Sequence, residues 1–404
     1  MKKYKNLFAV FILLIVSACH LVSQNPPAQK PDRTKELIES LRVPAEDKSL
    51  PEALKAPQQP ATAPENPVRI ALLLPLSGTN QKLGESMLDA AELAIADIGK
   101  KNLVLLPLDS GKDAASAVSA MNQAIAKKAD IVLGPLFGAS TAAIAPIAQQ
   151  ANMNVISFSN EKKLAGPNIF LLGFAPDEQV KRIVSYTLQK GLKRFSGYAP
   201  DSEYGKLVMG EFQKDVIAGG GNIGFSDFYK SSSEARIDLS KAATITPENT
   251  QSAFIPEGGS RLAEISAIIA KNSNEKGKIQ LIGSGQWDDP SILSAPDVIG
   301  GWFAGAPPKL HADFETHFNQ VYHYVPGRIS SLAYDGVALV AHLAGGPSGA
   351  NFSKAAITNP RGFMGVNGIF RFREDGICER GLSVLQVTPA GFEEIDPAPE
   401  SFNQ

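Results

Sequence analysis

Residues 68–98 read VRIALLLPLSGTNQKLGESMLDAAELAIADI. From Val68 to Leu74 every position but Arg69 is apolar, with no alternation, the pattern of a strand buried on both faces. Pro75, Ser77 and Gly78 close it. Leu83, Met87, Ala91, Ala94 and Ile98 then recur at spacings of four and three, which lays one apolar stripe along a helix. A doubly buried strand feeding an amphipathic helix is the opening of a parallel α/β sheet.

The same alternation continues outward. LVLLPLD (103–109) reads as a strand, Ala114 to Ala126 as a helix, DIVLGP (130–135) as a strand, Ser140 to Gln150 as a helix, and NVISFS (154–159) as a strand. This order requires a parallel sheet with helices on both faces. After NIFLLGFAPDEQ (168–179) a second series begins. It runs helix 178–189, strand RFSGYA (194–199), helix 204–218, strand NIGFSDFY (222–229), strand SAFIP (252–256), helix 261–270 and strand IQLIGSG (279–285). Two such sheets exceed one core, so the pattern predicts two α/β lobes. Ligands of open α/β sheets bind beyond the carboxyl ends of the strands. Those ends carry Ser77, Gly78, Gly134, Pro135, Ser157, Ser159 and Asn160 in one lobe, and Tyr198, Pro256 and Gly283 to Trp287, including Gln286, in the other. Glycines, serines and helix amino termini there offer N–H donors to an anion.

Ahead of this body lies a different kind of sequence. Lys2, Lys3 and Lys5 precede an unbroken apolar run, Leu7 to Val16, and then Ser17 and Ala18. That is the layout of a secretory signal peptide over residues 1–18, about half the roughly 20 residues a membrane-spanning helix needs. Residues 19–67 are rich in Pro, Gln and Ala, as in KAPQQPATAPENP, and read as an extended tether. Within it, Thr34 could cap a short helix with Leu37, Ile38 and Leu41 on one face.

Composition narrows the function classes. The 404 residues carry a formal charge of −2. Loss of the three amino-terminal lysines makes the remainder more acidic, so there is no electrostatic footprint for nucleic acid. Only two cysteines occur, Cys19 and Cys378, which leaves no disulfide within the body; Cys378 reads as an inert strand residue. GGGNIG (219–224) matches a dinucleotide-binding spacing but follows a helix and enters a strand, the reverse of that motif. His311, His317 and His323 recur every six residues and so do not share a helix face. Asp288 and Asp289 before Pro290 read as acidic residues starting a helix rather than as a cation site, and Ser260 as the cap of the helix after Gly259. No catalytic set and no cofactor or metal site is expected.

Several stretches together resemble the type I periplasmic binding proteins, such as the leucine/isoleucine/valine-binding protein. They are the opening segment quoted above, DIVLGPLFGASTAAIAPIA, VISFS, SEYGKLV and the late GVNGIFRFREDGICERGLSVLQV. The resemblance runs from Val68 to about Ile395. LLLPLSG and ADIVLGPLFGAS look closer to one branch, the lipoprotein activators of penicillin-binding proteins. Val16-Ser17-Ala18-Cys19 similarly resembles the lipobox of bacterial lipoproteins, which implies lipid attachment at Cys19; the lack of Asp after it points to the outer membrane. The family resemblance implies two lobes joined by three crossings around a cleft. Lobe I would comprise 68–173 and 306–360, lobe II 174–305 and 361–395, with a tail at 396–404.

Residue by residue, the resemblance implies that Tyr204 contacts ligand, and that Ser157 and Ser159 hold a carboxylate and an amine. It places the first-loop aromatic at Leu83, a ligand-holding threonine at Glu161, and an amine-binding acid near Gln286 or Trp287. For Tyr204, packing at a helix start is an alternative; for the serines, turn chemistry is. The function implied is non-enzymatic: a membrane-tethered regulator of a penicillin-binding protein. The alternative is a receptor that hands an amino-acid-like solute to a transporter permease. The activators carry a long helical-repeat domain before this fold, where here the 19–67 tether stands.

Overall fold

The computed structural model describes residues 66–230, 238–273, 277–346 and 349–402; the signal segment, Cys19 and the tether lie outside them. The first lobe is a five-stranded sheet of β1 (Val68–Leu74), β2 (Leu103–Asp109), β3 (Ile131–Leu133), β4 (Val155–Ser157) and β5 (Ile169–Leu171), in the order β2-β1-β3-β4-β5. Every pairing in it is parallel. Successive residues of a strand point to opposite faces, and the cores show it. Ile70, Leu72 and Leu74 of β1 join one cluster with Ile131, Leu133, Ile156 and Phe170. Ala71 and Leu73 join another with Val132, Val155 and Leu171. An unbroken apolar run was therefore needed, because both faces are covered. Each such Leu or Ile contributes about 1.5–3 kcal/mol by leaving water.

Helix α1 (Gln81–Ile98) covers the first of these faces, with Met87, Ala91, Ala94 and Ile98 buried as their spacing predicted. Helices α2 (Ala114–Ala126) and α3 (Gly138–Gln150) cover the other. The second lobe repeats the plan with β6 (Arg194–Pro200), β7 (Asn222–Tyr229), β8 (Ser252–Phe254), β9 (Gln280–Gly283) and β10 (Trp302–Gly305), in the order 7-6-8-9-10. These pair in parallel. Helices α4 (Pro176–Gln189) and α5 (Glu203–Ala218) pack on one face and α6 (Gly259–Asn272) on the other. GGGNIG is the chain reversal between α5 and β7, with Gly220 at φ +76°. Gly258, not Ser260, stands at the cap position of α6, and no side chain caps that helix.

Helices α7 (Pro308–Tyr322), α8 (Ser331–Ala344) and α9 (Lys354–Ile357) return to the first lobe. Helix α8 is buried on nearly all sides. A small antiparallel sheet follows, β11 (Phe363–Gly365), β12 (Gly368–Phe372) and β13 (Cys378–Arg380). Its placement corrects the expected boundary at 360/361. Phe363, Val366, Phe370, Phe372 and Cys378 pack into the first-lobe core, and Phe372 meets Phe170 edge-on at 5.8 Å. The chain re-enters the second lobe only at β14 (Ser383–Thr388), which pairs antiparallel with β10 and then with β15 (Gly391–Asp396). In the tail, the ring of Phe402 lies 4.4 Å from the Arg371 guanidinium. Cys378 opens β13, a strand residue as expected; it is buried, and burial pushes its thiol up to about 11.

Candidate functional site

Both sheets share one strand order, and in each it reverses beside the first strand of the lobe: between β1 and β3, and between β6 and β8. The chain leaves β5 for α4 at 172–175 and β10 for α7 at 306–307, so the carboxyl ends of both sheets lie on the side where the lobes join. The third crossing, β13 to β14, starts beside the first: Arg380 Nη2, at the end of β13, donates to Leu172 O at 2.8 Å, and Gly376 O, just ahead of β13, accepts from Leu171 N of β5 at 2.8 Å. The candidate site is the ground between these two sets of strand ends.

On the first lobe the strand ends are built for close approach. Gly84 of α1 lies against the Pro75 carbonyl, where a side chain would collide. Beyond it, the loop of Ser77 and Gly78 is exposed, with Gly78 at φ +79°. Its donors are engaged by an acid of the chain. Asp109 Oδ1 accepts from Leu76 N at 2.9 Å and Gly111 N at 2.8 Å. Partial burial works to raise this carboxyl, but hydrogen bonds from the Ser77 hydroxyl and the loop amides outweigh it and hold it below the usual carboxylate range.

The serines of the β4 end are likewise taken up. Ser157 is fully buried; its Oγ lies 2.8 Å from Thr141 Oγ1 and 3.0 Å from the Pro135 carbonyl, and accepts from Ser159 N at 3.1 Å. Ser159 Oγ accepts from Glu161 N at 3.2 Å. These hydroxyls do turn chemistry. Asn160 is exposed and donates to the Phe174 carbonyl at 3.2 Å, so it braces the first crossing. Glu161 lays its carboxylate over Gly138, the first residue of α3; any side chain at 138 would strike it. Leu83 is half-buried and packs on the first-lobe core.

On the second lobe Tyr204, in the first turn of α5, donates to Ser284 Oγ at 2.8 Å, and Gln286 lies beside it, exposed. Burial is the main cause that raises the Tyr204 phenol. Glu257, at the end of β8, faces the same group and accepts from the Tyr229 hydroxyl. Trp287 does not belong with them. It is fully buried in the second-lobe core, and its indole N–H donates to the Ile255 carbonyl at 3.0 Å. Gly283 and Gly301 make room for the ring, since a methyl on either would overlap it.

The acidic pair divides its work. Asp289 caps the following 3-10 turn through Ser291 N, as a helix-start acid should. Asp288 instead reaches the first lobe and accepts from Arg328 at 2.8 Å. Residue-pattern reasoning passed over Asp109 and Arg328 and read Glu257 only as ordinary turn geometry at the cleft edge; the acid at the end of LVLLPLD carried a visible cue, because strand ends lie at the site. His311, His317 and His323 do not converge, and among the described residues no group of three ligand-type side chains could hold a metal ion. None of the described helices is long and apolar enough to cross a membrane.

Residues 67–392, which build both lobes and all three crossings, match the family model described as periplasmic binding protein. The chain belongs to that family. A curated relative, an uncharacterized protein of Rickettsia prowazekii, is 23% identical over 327 residues, covering 79% of this chain and 86% of its own length. Among solved structures, a Rhodospirillum rubrum protein ascribed to branched-chain amino acid ABC transport superposes with a TM-score of 0.73 at 20% identity, covering 81% of this chain and 100% of that one. LivJ of Streptococcus pneumoniae, a branched-chain amino acid transporter substrate-binding protein solved with isoleucine, gives 0.57 at 20% identity, covering 82% and 100%. The type I, leucine-binding-protein-like fold is thus established for this periplasmic binding protein family member.

Proposed function

We propose that this chain is a non-enzymatic lipoprotein, held by lipid on Cys19 at the periplasmic face of the outer membrane, that docks its two-lobed body on a penicillin-binding protein to regulate peptidoglycan synthesis. The observation that carries the docking reading is the state of the first-lobe strand ends. An amino acid such as the isoleucine of LivJ brings a carboxylate that needs free donors. Here the Leu76 and Gly111 amides hold Asp109, the Ser157 hydroxyl is saturated, and the Glu161 carboxylate covers the start of α3. A ligand carboxylate brought there would meet the Asp109 carboxylate and that of Glu161, which Lys163 pairs at 3.3 Å. The choice of synthase as partner rests on the resemblance of LLLPLSG and ADIVLGPLFGAS to the activator branch. The Pro-rich composition of 19–67 supports it, since tethering raises the local concentration of a body at a fixed partner.

A second reading, a substrate-binding lipoprotein serving a transporter permease, is favoured by the solved relatives and by the second-lobe group of Tyr204, Ser284, Gln286 and Glu257, which could orient a small solute. Calorimetry on the purified full chain with leucine, isoleucine and benzoate, alongside crosslinking in cells, separates the two. Docking predicts no heat with the carboxylates, recovery of a penicillin-binding protein, and stimulation of its glycan or peptide synthesis. Micromolar solute binding without a synthase crosslink would establish the transport reading instead, and failure of both assays would refute both.

A further inference from the structure

Arg328 stands just before α8, in the first lobe, and reaches across the junction. Its Nε and Nη2 both lie 2.8 Å from Asp288 Oδ2 of the second lobe. The rest of the guanidinium is held from the first-lobe side and the crossings. Nη1 donates to Asn367 Oδ1 at 3.0 Å and lies 3.4 Å from His311 Nδ1, while the cation sits 4.9 Å from the centroid of Phe174 on the first crossing. Asn367 is itself fixed: it donates to Asp335 Oδ2 at 2.9 Å, and Asp335 Oδ1 accepts from Val366 N at 2.7 Å. Asp335 is fully buried, with Arg380 Nη1 at 3.6 Å.

Asp288 is equally constrained, because it follows Trp287, whose ring is locked in the second-lobe core. With both partners mounted on rigid supports, separating them requires the lobes to move. The pair is also partly withdrawn from water, with 28% and 21% of the two side chains exposed, so salt screens it less than a surface pair. We propose that Arg328 is an interlobe latch, which holds the second lobe through Asp288 and so sets the separation of the lobes from within the chain. A body latched in this way presents a fixed surface at the cleft to whatever docks there, and any cargo must compete with the latch to open it. The latch is independent of which partner the cleft serves.

The test is a distance across the cleft. Spin labels go on Lys112→Cys, beside the Gly78 loop, and Lys206→Cys, in the first turn of α5; both positions are exposed. The full chain is used in detergent with Cys19→Ser, and buried Cys378 is left in place. Pulsed dipolar spectroscopy should show one narrow distance. Asp288→Asn and Arg328→Gln should each raise the ratio of a longer to the shorter distance roughly tenfold, the worth of a hydrogen bond between charged groups. The double variant should go no further than the larger single effect, because one contact is lost in all three. Unchanged distances in both single variants, or additive effects in the double, would overturn the latch. Should Arg328→Gln fail to fold, Asp288→Asn decides alone, since the structure gives Asp288 no role in the core of its lobe.

Discussion

Replacing Gly84 by Ala tests how the first strand end is built. Gly84 is the fourth residue of α1, and within a helix this change ordinarily stabilises, by at most roughly 0.5–1 kcal/mol, because Ala loses less backbone entropy. At this position a methyl would stand 2.1 Å from the Pro75 carbonyl oxygen, a backbone atom that cannot swing aside. Helix α1 must then move off the end of β1, against a face where Met87 and Ala91 are fully buried. Overpacking of this kind costs about 1–3 kcal/mol, and a backbone collision belongs at the upper end. After the propensity gain, the net loss should be about 2 kcal/mol, or a fall in melting temperature of about 4–8 °C for a lobe of this size. The assay is thermal unfolding followed by far-ultraviolet circular dichroism, since both tryptophans lie in the second lobe and report on it alone. Gly210→Ala is the control: it lies in α5 with nothing within 4 Å of the added methyl, and should raise stability by roughly 0.5–1 kcal/mol. A Gly84→Ala variant as stable as the parent, with Gly210→Ala stabilised, would refute the collision argument.

Three further outcomes follow from the same structure. Asp335→Ala removes a fully buried carboxylate beside Arg380 and strands that guanidinium, so stability should fall by about 3–5 kcal/mol; a melting temperature within a degree or two of the parent would contradict it. Asp109, whose folded pKa is lowered from 3.8, contributes stability that is present above its unfolded pKa and is lost as pH falls through the folded value. The melting difference between parent and Asp109→Asn should therefore be largest near neutral pH and shrink as pH drops below about 4; a difference independent of pH would count against the loop contacts. Cys378, 2% exposed with a thiol raised to about 11, should resist a thiol reagent in the folded chain carrying Cys19→Ser and react only in denaturant. Rapid labelling of the native protein would show that the third sheet opens.

Much of the fold was legible because one physical rule governs it. A strand covered on both faces must be apolar throughout, and a helix on a sheet must be apolar along one stripe. Val68 to Leu74 and the Leu83 to Ile98 stripe obey these rules without help from distant residues. The extra sheet was harder to place. Phe363, Phe370 and Phe372 alternate as a half-buried hairpin should, but nothing in that alternation says which lobe supplies the partner. The site was less legible still. Ser157 and Ser159 stand where the strand-end rule puts them, yet hydroxyls serve a turn or a ligand equally well, and the Ser157 partners Thr141 and Pro135 come from other elements.

The sequence by itself determined the strand and helix alternation, the two lobes and the ends of the strands where a site belongs. These depend on periodicity within ten to twenty residues, which the chain carries locally. Tertiary structure alone decided that Trp287 is core, through the space left by Gly283 and Gly301, that Asp109 accepts from the Leu76 amide, and that the Glu161 carboxylate lies against Gly138. It also decided that Asp288 and Arg328, forty residues apart in the chain, join the lobes. Such pairings are set by how the two lobes meet, and no local pattern encodes the distance between them.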